Sequence, residues 1–136
     1  MILGVGTDLA MVDLFRKEWT KESSSFLYDI FTDKELELVD AGNVPAPQRL
    51  AARFAAKEAF IKGCGAFLNS TFPIKMKEIE IINKSSGMPV INLHGHTRKL
   101  LSTAGAGKIF VSLSHENIYA SAVVIITDQI ISPEEK

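Results

Sequence analysis

Residues 49–62, RLAARFAAKEAFIK, decide the fold because they predict a helix that is buried on two sides. On a helical wheel at about 100° per residue, Leu50, Phe54 and Ile61 fall on one stripe. A second, nearly opposite face consists of small side chains, which let another backbone approach closely: Ala51, Ala52, Ala55, Ala56 and Ala59. A helix that is apolar on two faces is usually buried. We therefore expect this segment to lie at the centre of the molecule.

Four charged residues on this helix need an explanation. Glu58 and Lys62 lie on the seam between the two apolar faces, and Arg53 and Lys57 flank the stripe of larger side chains. Buried charges are costly unless they are paired, bound to a metal or bound to a charged ligand. A functional site is therefore the leading explanation for this helix.

Composition narrows the class of protein. The 136 residues are 46% hydrophobic and 23% charged, and we expect them to form one domain, residues 1–136. The charges of fifteen basic and sixteen acidic residues nearly cancel. The protein therefore has no overall positive field that would favour nucleic-acid binding. The apolar N-terminal segment has no basic flank and predicts a buried strand, with no membrane partner. The lone Cys64 excludes an intramolecular disulfide and fits a reducing cytoplasm.

Helical patterns are concentrated in the first half of the chain. A short strand, Ile2 to Val5, is predicted to end at Gly6-Thr7-Asp8, and a helical pattern follows it. Thr32 and Glu35 have the spacing of an N-terminal capping box that opens a helix ending near Gly42. We expect a turn from Asn43 to Pro47, because two prolines one residue apart disfavour a helix. The long helix is then expected to stop at the glycines near position 63.

Strand patterns dominate the second half. A loop is expected from Phe67 to Pro73, and the closing PEEK segment is expected to be a frayed tail. The predicted elements are strands 78–82 and 88–93, a helix 96–103, and strands 109–113 and 119–127. Without a regular βα repeat, this order favours an α+β fold in which the long buried helix packs on a largely antiparallel sheet.

Two carboxylates and a lysine form a candidate metal and phosphate site. Asp8 follows the first strand, and Glu58 lies on the buried helix. Together they could hold Mg²⁺, which typically uses one or two carboxylates and completes its shell with water and substrate phosphates. Lys62, one helical turn after Glu58, would neutralise phosphate oxygens. The alternative is a simple Glu58–Lys62 ion pair, but burial on two faces favours the functional interpretation.

Basic residues could hold further phosphates. Arg49, Arg53 and Lys57 are spaced one turn apart and form a basic ridge, which suits phosphate but also a solvated helix edge. The solvated edge is the better interpretation for Arg49 and the weaker one for Arg53. His115, in a predicted loop after Ser114, is either a surface residue or a phosphate contact. For Glu35 the capping box is a sufficient explanation.

Four ordered blocks match a known family. They are Gly4-Val-Gly6-Thr-Asp8, Phe31-Thr-x-x-Glu35, Arg53-Phe-Ala-Ala-Lys57-Glu58-Ala and Ser112-Leu-Ser-His115, extended by Asn83-x-x-x-Gly87-x-Pro89. The chain resembles the holo-[acyl-carrier-protein] synthases, the AcpS type of phosphopantetheinyl transferase, over nearly its whole length.

This resemblance implies a reaction and a set of site residues. The phosphopantetheine arm of coenzyme A would be transferred to a serine of apo acyl carrier protein, releasing adenosine 3′,5′-bisphosphate. Asp8 and Glu58 would bind Mg²⁺, and Glu58 or a metal-held water would accept the serine proton. Lys62 would meet the phosphates and assist proton transfer, which makes it the second catalytic residue beside Glu58. Coenzyme A would be contacted by five residues: Arg49, Arg53, Lys62, Gly65 and His115. The resemblance also implies a homotrimer with sites between protomers, which would give the alanine face of the helix something to pack against.

The match is weaker at the periphery. Family members usually carry Glu and Arg where this chain has Met11 and Leu14, and Gly-Thr-Gly where it has Gly65-Ala66-Phe67. These differences keep two other functions open. One is a module that binds coenzyme A or a nucleotide without transferring anything. The other is a small metal-dependent phosphohydrolase, which would need only Asp8, Glu58 and Lys62.

Overall fold

The computed structural model describes residues 1–69 and 74–128 and contains five helices and five strands within them. The elements in chain order are β1 (Ile2–Met11), α1 (Val12–Trp19), α2 (Ser25–Ile30), α3 (Asp33–Asp40), α4 (Ala46–Cys64), β2 (Ile79–Asn83), β3 (Pro89–Leu93), α5 (Gly95–Thr103), β4 (Ala106–His115) and β5 (Tyr119–Asp128). A single 3₁₀ turn, Met76–Glu78, precedes β2. The predicted loop to Pro73 lies partly, and the closing tail wholly, outside the described residues.

Two antiparallel sheets support the helices. One has the strand order β1-β5-β4, and the other is the hairpin of β2 and β3. Helix α4 makes its main contacts with β1 and β5 of the larger sheet. The predicted α+β fold, with a long buried helix on an antiparallel sheet, is confirmed.

The backbones of α4 and β1 approach each other closely. A Cβ atom built on Gly4 or Gly6 would overlap the carbonyl oxygens of Gly63 and Ala59, respectively. The five alanines of the predicted alanine face of α4, from Ala51 to Ala59, are between 0% and 1% exposed, because the protein's own elements cover them. The expectation that a neighbouring protomer covers this alanine face is therefore wrong.

Strand β1 is longer than the sequence predicted. It continues through Thr7 and Asp8 to Met11, and Asp8 lies opposite Ala122 of β5. The side chain of Asp8 points to the face that carries α4, because residues alternate along a strand and the flanking Gly6 and Ala10 are buried there. Asp8 is thus held within a paired strand rather than following one.

Helix α4 begins earlier than predicted. Pro45 is its N-cap and Pro47 occupies the first turn, so the expected turn extends only to Pro45. The first turn tolerates proline because its N–H groups have no partner within the helix. At the other end Gly63 lies inside the helix and Gly65 caps it. Cys64 is 1% exposed, and burial raises the pKa of its thiol to about 12.

The other face of the larger sheet is open and apolar. Large side chains there are between 38% and 61% exposed: Val5, Leu9, Met11, Phe110 and Val123. We call this set the open sheet face. Contiguous exposed apolar surface of this kind typically marks an interaction site.

Candidate active site on the two flanks of helix α4

One flank of α4 brings Asp8, Glu58 and Lys62 together. The Lys62 ammonium donates to the Asp8 Oδ1 atom at 2.8 Å and to the Thr7 carbonyl at 3.2 Å. The hydrogen bond to Asp8 raises the pKa of Lys62, and Glu58 adds a smaller electrostatic contribution in the same direction. Lys62 therefore bonds to strand β1. The alternative interpretation required only a local ion pair between Lys62 and Glu58 on the same helix. We call these three residues the carboxylate flank.

The chemistry of this flank fits a hard divalent cation. Asp8 and Glu58 supply carboxylate oxygens, the donors that Mg²⁺ prefers, and Asp8 already accepts a cationic partner. The described residues contain no group of three or more acidic, histidine or cysteine side chains that could enclose a metal. A cation bound here would take its remaining ligands from water and substrate phosphates, as Mg²⁺ typically does.

The other flank of α4 gathers basic side chains around a cavity. A cavity of about 320 Å³ is lined by Arg49, Arg53 and His115, together with Asn83 and the hairpin tip from Gly87 to Pro89. The family resemblance implied that all three basic residues contact coenzyme A, and the structure brings them to one place. His115 is the last residue of β4 rather than a loop residue. We call this group the arginine flank.

The side chain of Arg49 also forms hydrogen bonds to the end of helix α3. Its Nη1 atom donates to the Val39 carbonyl at 3.4 Å and to the Ala41 carbonyl, at the C-terminal end of α3. Those carbonyls have no partner within their helix, and a cation there is favourable. Arg49 therefore ties α3 to α4 as well as lining the cavity.

Lys57 does not belong to a basic ridge. Its side chain is fully buried, and its ammonium donates to Glu35 Oε1 at 2.8 Å and to the carbonyls of Ile30 and Met76. The capping box of Thr32 and Glu35 is confirmed. It is an incomplete explanation of Glu35, whose other oxygen accepts from the Ile81 N–H. Burial lowers the pKa of Lys57, and Glu35 opposes that shift.

The two flanks face in nearly opposite directions. Arg53 and Lys62 are nine residues apart, which places them about 180° apart around a helix. In the sheet below, Asp8 lies on β1 and His115 on β4, two strands or about 10 Å apart. Helix α4 separates the flanks within one chain.

Asn83 was absent from the sequence-predicted site. Its side chain accepts from Arg53 Nη2 at 3.2 Å and lines the same cavity. The signal was present in the Asn83-x-x-x-Gly87-x-Pro89 block, whose three named residues all lie at this cavity. Gly65, predicted as a coenzyme A contact, caps the end of α4 that carries Lys62.

Comparison with known proteins establishes the family. The family model described as the 4′-phosphopantetheinyl transferase superfamily matches residues 4–124. The chain belongs to this superfamily. The predicted membership in a phosphopantetheinyl transferase family, and thus the prediction of an enzyme, is confirmed.

Relatives of this superfamily share both sequence and fold with the chain. The holo-[acyl-carrier-protein] synthase of Syntrophus aciditrophicus is 40% identical over 93% of this chain and 96% of that protein. The crystal structure of the Neisseria meningitidis synthase has a TM-score of 0.79 at 29% identity, covering 94% and 100% of the two chains. A Chronobacterium ammoniagenes ACPS–CoA complex has a TM-score of 0.76 at 27% identity, covering 93% and 98%. The predicted resemblance to the AcpS type is confirmed. No helix among the described residues is long and apolar enough to cross a membrane.

Proposed function

We propose that this phosphopantetheinyl transferase moves the 4′-phosphopantetheine arm of coenzyme A to a serine of apo acyl carrier protein. The reaction would depend on Mg²⁺ and release adenosine 3′,5′-bisphosphate. The proposal rests on the 2.8 Å hydrogen bond between Lys62 on α4 and Asp8 on β1. This bond joins residues that are 54 positions apart in the sequence, and it lies beside a second carboxylate, that of Glu58. The single domain and a cytoplasmic location, which the lone thiol fits, are part of the proposal.

Each residue of the carboxylate flank has a role in this reaction. Asp8 and Glu58 would hold Mg²⁺, which when bound offsets negative charge on the pyrophosphate as a Lewis acid. Lys62 bears a positive charge at neutral pH, as an ordinary lysine does, and its hydrogen bond to Asp8 raises its pKa further. It would bind pyrophosphate oxygens. Glu58 is the candidate to accept the proton of the carrier serine. Positioning and electrostatic stabilisation account for most catalysis of this kind.

The arginine flank would bind a second part of coenzyme A. Arg53 and His115, with Arg49 beside them, suit a phosphate, and Gly65 would pass close to the ligand at the other flank. Since α4 separates the two flanks, we propose that each ligand lies between the carboxylate flank of one protomer and the arginine flank of its neighbour. The open sheet face supplies apolar surface for such an assembly, and a homotrimer is the form we propose.

One observation favours a second candidate, a coenzyme A-binding module without transferase activity. Met11 and Leu14 are 57% and 47% exposed at the start of helix α1. Relatives of this type usually carry charged residues at these two positions. Loss of the arginine that relatives usually carry at the position of Leu14 would weaken docking of an acidic carrier protein. Calorimetry that shows tight coenzyme A binding, without any transfer to several carriers, would favour this module.

Mass spectrometry of apo carrier protein tests the proposed transfer. The carrier should gain one phosphopantetheine arm when it is incubated with coenzyme A, Mg²⁺ and the protein. Asp8→Ala and Glu58→Ala should each reduce the rate by about 100-fold or more, since each removes a metal ligand from the proposed site. Glu37→Ala, a matched change of an exposed carboxylate on α3, should leave the rate unchanged.

Three results would count against the proposal. Asp8→Ala and Glu58→Ala could retain the wild-type rate, or no carrier could gain mass. Alternatively, pantetheine phosphate could be released from coenzyme A without a carrier, which would indicate the phosphohydrolase instead.

A further inference from the structure

The guanidinium of Arg53 is buried without a negative partner. The residue is 3% exposed, and among the described residues no carboxylate lies within ion-pair distance of it. Its bonds go to neutral acceptors, Asn83 Oδ1 at 3.2 Å and the Arg49 carbonyl at 3.4 Å, and its buried Nε has no acceptor within residues 1–69 and 74–128. Glu35, the nearby buried carboxylate, is already bonded to Lys57. A buried charge without a counter-charge is destabilising unless a ligand supplies one.

Asn83 fixes the direction of this guanidinium. It is the last residue of β2, opposite Pro89 of β3, and its half-buried side chain faces the same cavity. An amide oxygen accepts a hydrogen bond and carries no net charge. Asn83 can therefore hold Arg53 in place while leaving the full positive charge for an anion in the cavity.

Aspartate is the isosteric alternative at this position. Its carboxylate would accept the same hydrogen bond with charge assistance and would supply the missing counter-charge. Such a pair would relieve the uncompensated charge in the ligand-free protein. It would also neutralise Arg53 toward an incoming phosphate and repel that phosphate.

We propose that Asn83 is a positioning residue that orients Arg53 and keeps its charge uncompensated, so that ligand affinity is gained at the expense of stability. This inference rests on the proposed function, in which a phosphate of coenzyme A binds at the arginine flank. Asn83 acts through Arg53, which is on the flank away from Asp8, Glu58 and Lys62. Its influence therefore falls on binding rather than on the transfer step.

The decisive variant is Asn83→Asp. In the ligand-free protein it should raise Tm by roughly 2 °C or more, because it pairs a buried cation. It should also raise the Kd and KM for coenzyme A by about tenfold or more, the usual effect of losing a hydrogen-bonded charge interaction. The kcat should stay within about twofold of wild type. A purely structural role would not move stability and affinity in opposite directions.

Two further variants complete the test. Asn83→Ala removes the acceptor without adding charge, so it should weaken coenzyme A binding without raising Tm. Asn43→Asp makes the same amide-to-carboxylate change as Asn83→Asp, but at an exposed turn. It should alter neither the Tm nor the Kd for coenzyme A appreciably. Differential scanning calorimetry gives Tm, titration calorimetry gives Kd, and the carrier assay gives kcat and KM.

The outcomes separate this inference from the proposed function. Asn83→Asp or Asn83→Ala with wild-type affinity for coenzyme A would overturn it, as would an Asn83→Asp protein that is less stable than wild type. If wild type proves not to use coenzyme A, inorganic pyrophosphate is the probe. The inference then requires pyrophosphate to raise the Tm of wild type and not that of Asn83→Asp, and equal shifts in both would overturn it.

Discussion

The buried pair of Lys57 and Glu35 concentrates five interactions in one place. The Lys57 ammonium bonds to Glu35 and to two backbone carbonyls, and Glu35 also accepts from the N–H groups of Thr32 and Ile81. The bonds join α2, α3, α4 and β2. Both side chains are fully buried, so each depends on the other to offset the cost of leaving water.

Removing the charge of one partner should therefore destabilise the protein much more than removing the charges of both. Lys57→Met should lower the free energy of unfolding by about 3–5 kcal/mol, because Glu35 is left buried and unpaired. The double variant Lys57→Met with Glu35→Gln should recover part of that loss, since no buried charge remains. Urea denaturation measures both, and Lys34→Met on the exposed side of α3 is the control. A Lys57→Met protein as stable as the control would show that the pair contributes nothing.

Local residue patterns were predictable and distant pairings were not. The capping box of Thr32 and Glu35 needs residues only three positions apart, so its spacing is visible in the sequence. The partner of Lys57 is 22 positions away on another helix, and helical periodicity carries no information about it. For the same reason the proposed metal site was predicted only from the family resemblance and from the burial of charges on α4. Neither argument could reveal the bond between Lys62 and Asp8.

At the scale of elements, the packing of α4 on β1 depends on missing side chains. Gly4 and Gly6 face Gly63 and Ala59 so closely that no Cβ atom fits between the backbones. This contact fixes the height of α4 above the strand that carries Asp8. The position of Lys62 relative to Asp8 follows from it.

A methyl group at Gly6 should disturb both packing and the site. Gly6→Ala should lower the free energy of unfolding by about 1–3 kcal/mol or more, since the Ala59 carbonyl belongs to a helix that must shift. Gly65→Ala is the matched control, because Gly65 has helical φ and ψ angles and its added Cβ would lie 3.3 Å from the Lys62 carbonyl oxygen, a tight contact but not the overlap found at Gly6. Thermal unfolding of the two variants checks the difference, and equal Tm values would contradict the close packing.

The same glycines explain why strand β1 was predicted too short. In an ordinary half-buried strand the larger apolar residues face the core. Here the buried positions are Gly4, Gly6 and Ala10, while Val5 and Leu9 point outward. The inverted pattern conceals both the length of the strand and the open sheet face, which no sequence feature had led us to expect.

For the whole molecule, the separation of the two flanks yields a test of assembly. If each ligand lies between protomers, a site needs an intact carboxylate flank from one copy and an intact arginine flank from another. At a coenzyme A concentration below the KM of wild type, Arg53→Ala and Glu58→Ala should each lose most of the activity alone. Mixed oligomers formed from equal amounts should regain about a quarter of the wild-type sites, since a cyclic assembly pairs different copies at each interface.

Matched mixtures distinguish complementation from simple stabilisation. Asp8→Ala mixed with Glu58→Ala should recover nothing, because both changes lie on the same flank. Native mass spectrometry verifies that mixed oligomers form and reports the number of subunits. Mixed oligomers of Arg53→Ala and Glu58→Ala that remain inactive would refute the shared site.

The state of Cys64 makes the molecule convenient to label. Its thiol is the only one in the chain, is 1% exposed and has a pKa raised to about 12, so little reactive thiolate meets solvent at neutral pH. Maleimide reagents should therefore spare the native protein under mild conditions. A cysteine introduced on the open sheet face could then carry a fluorophore or spin label without first deleting the natural one, and subunit exchange could be followed in real time.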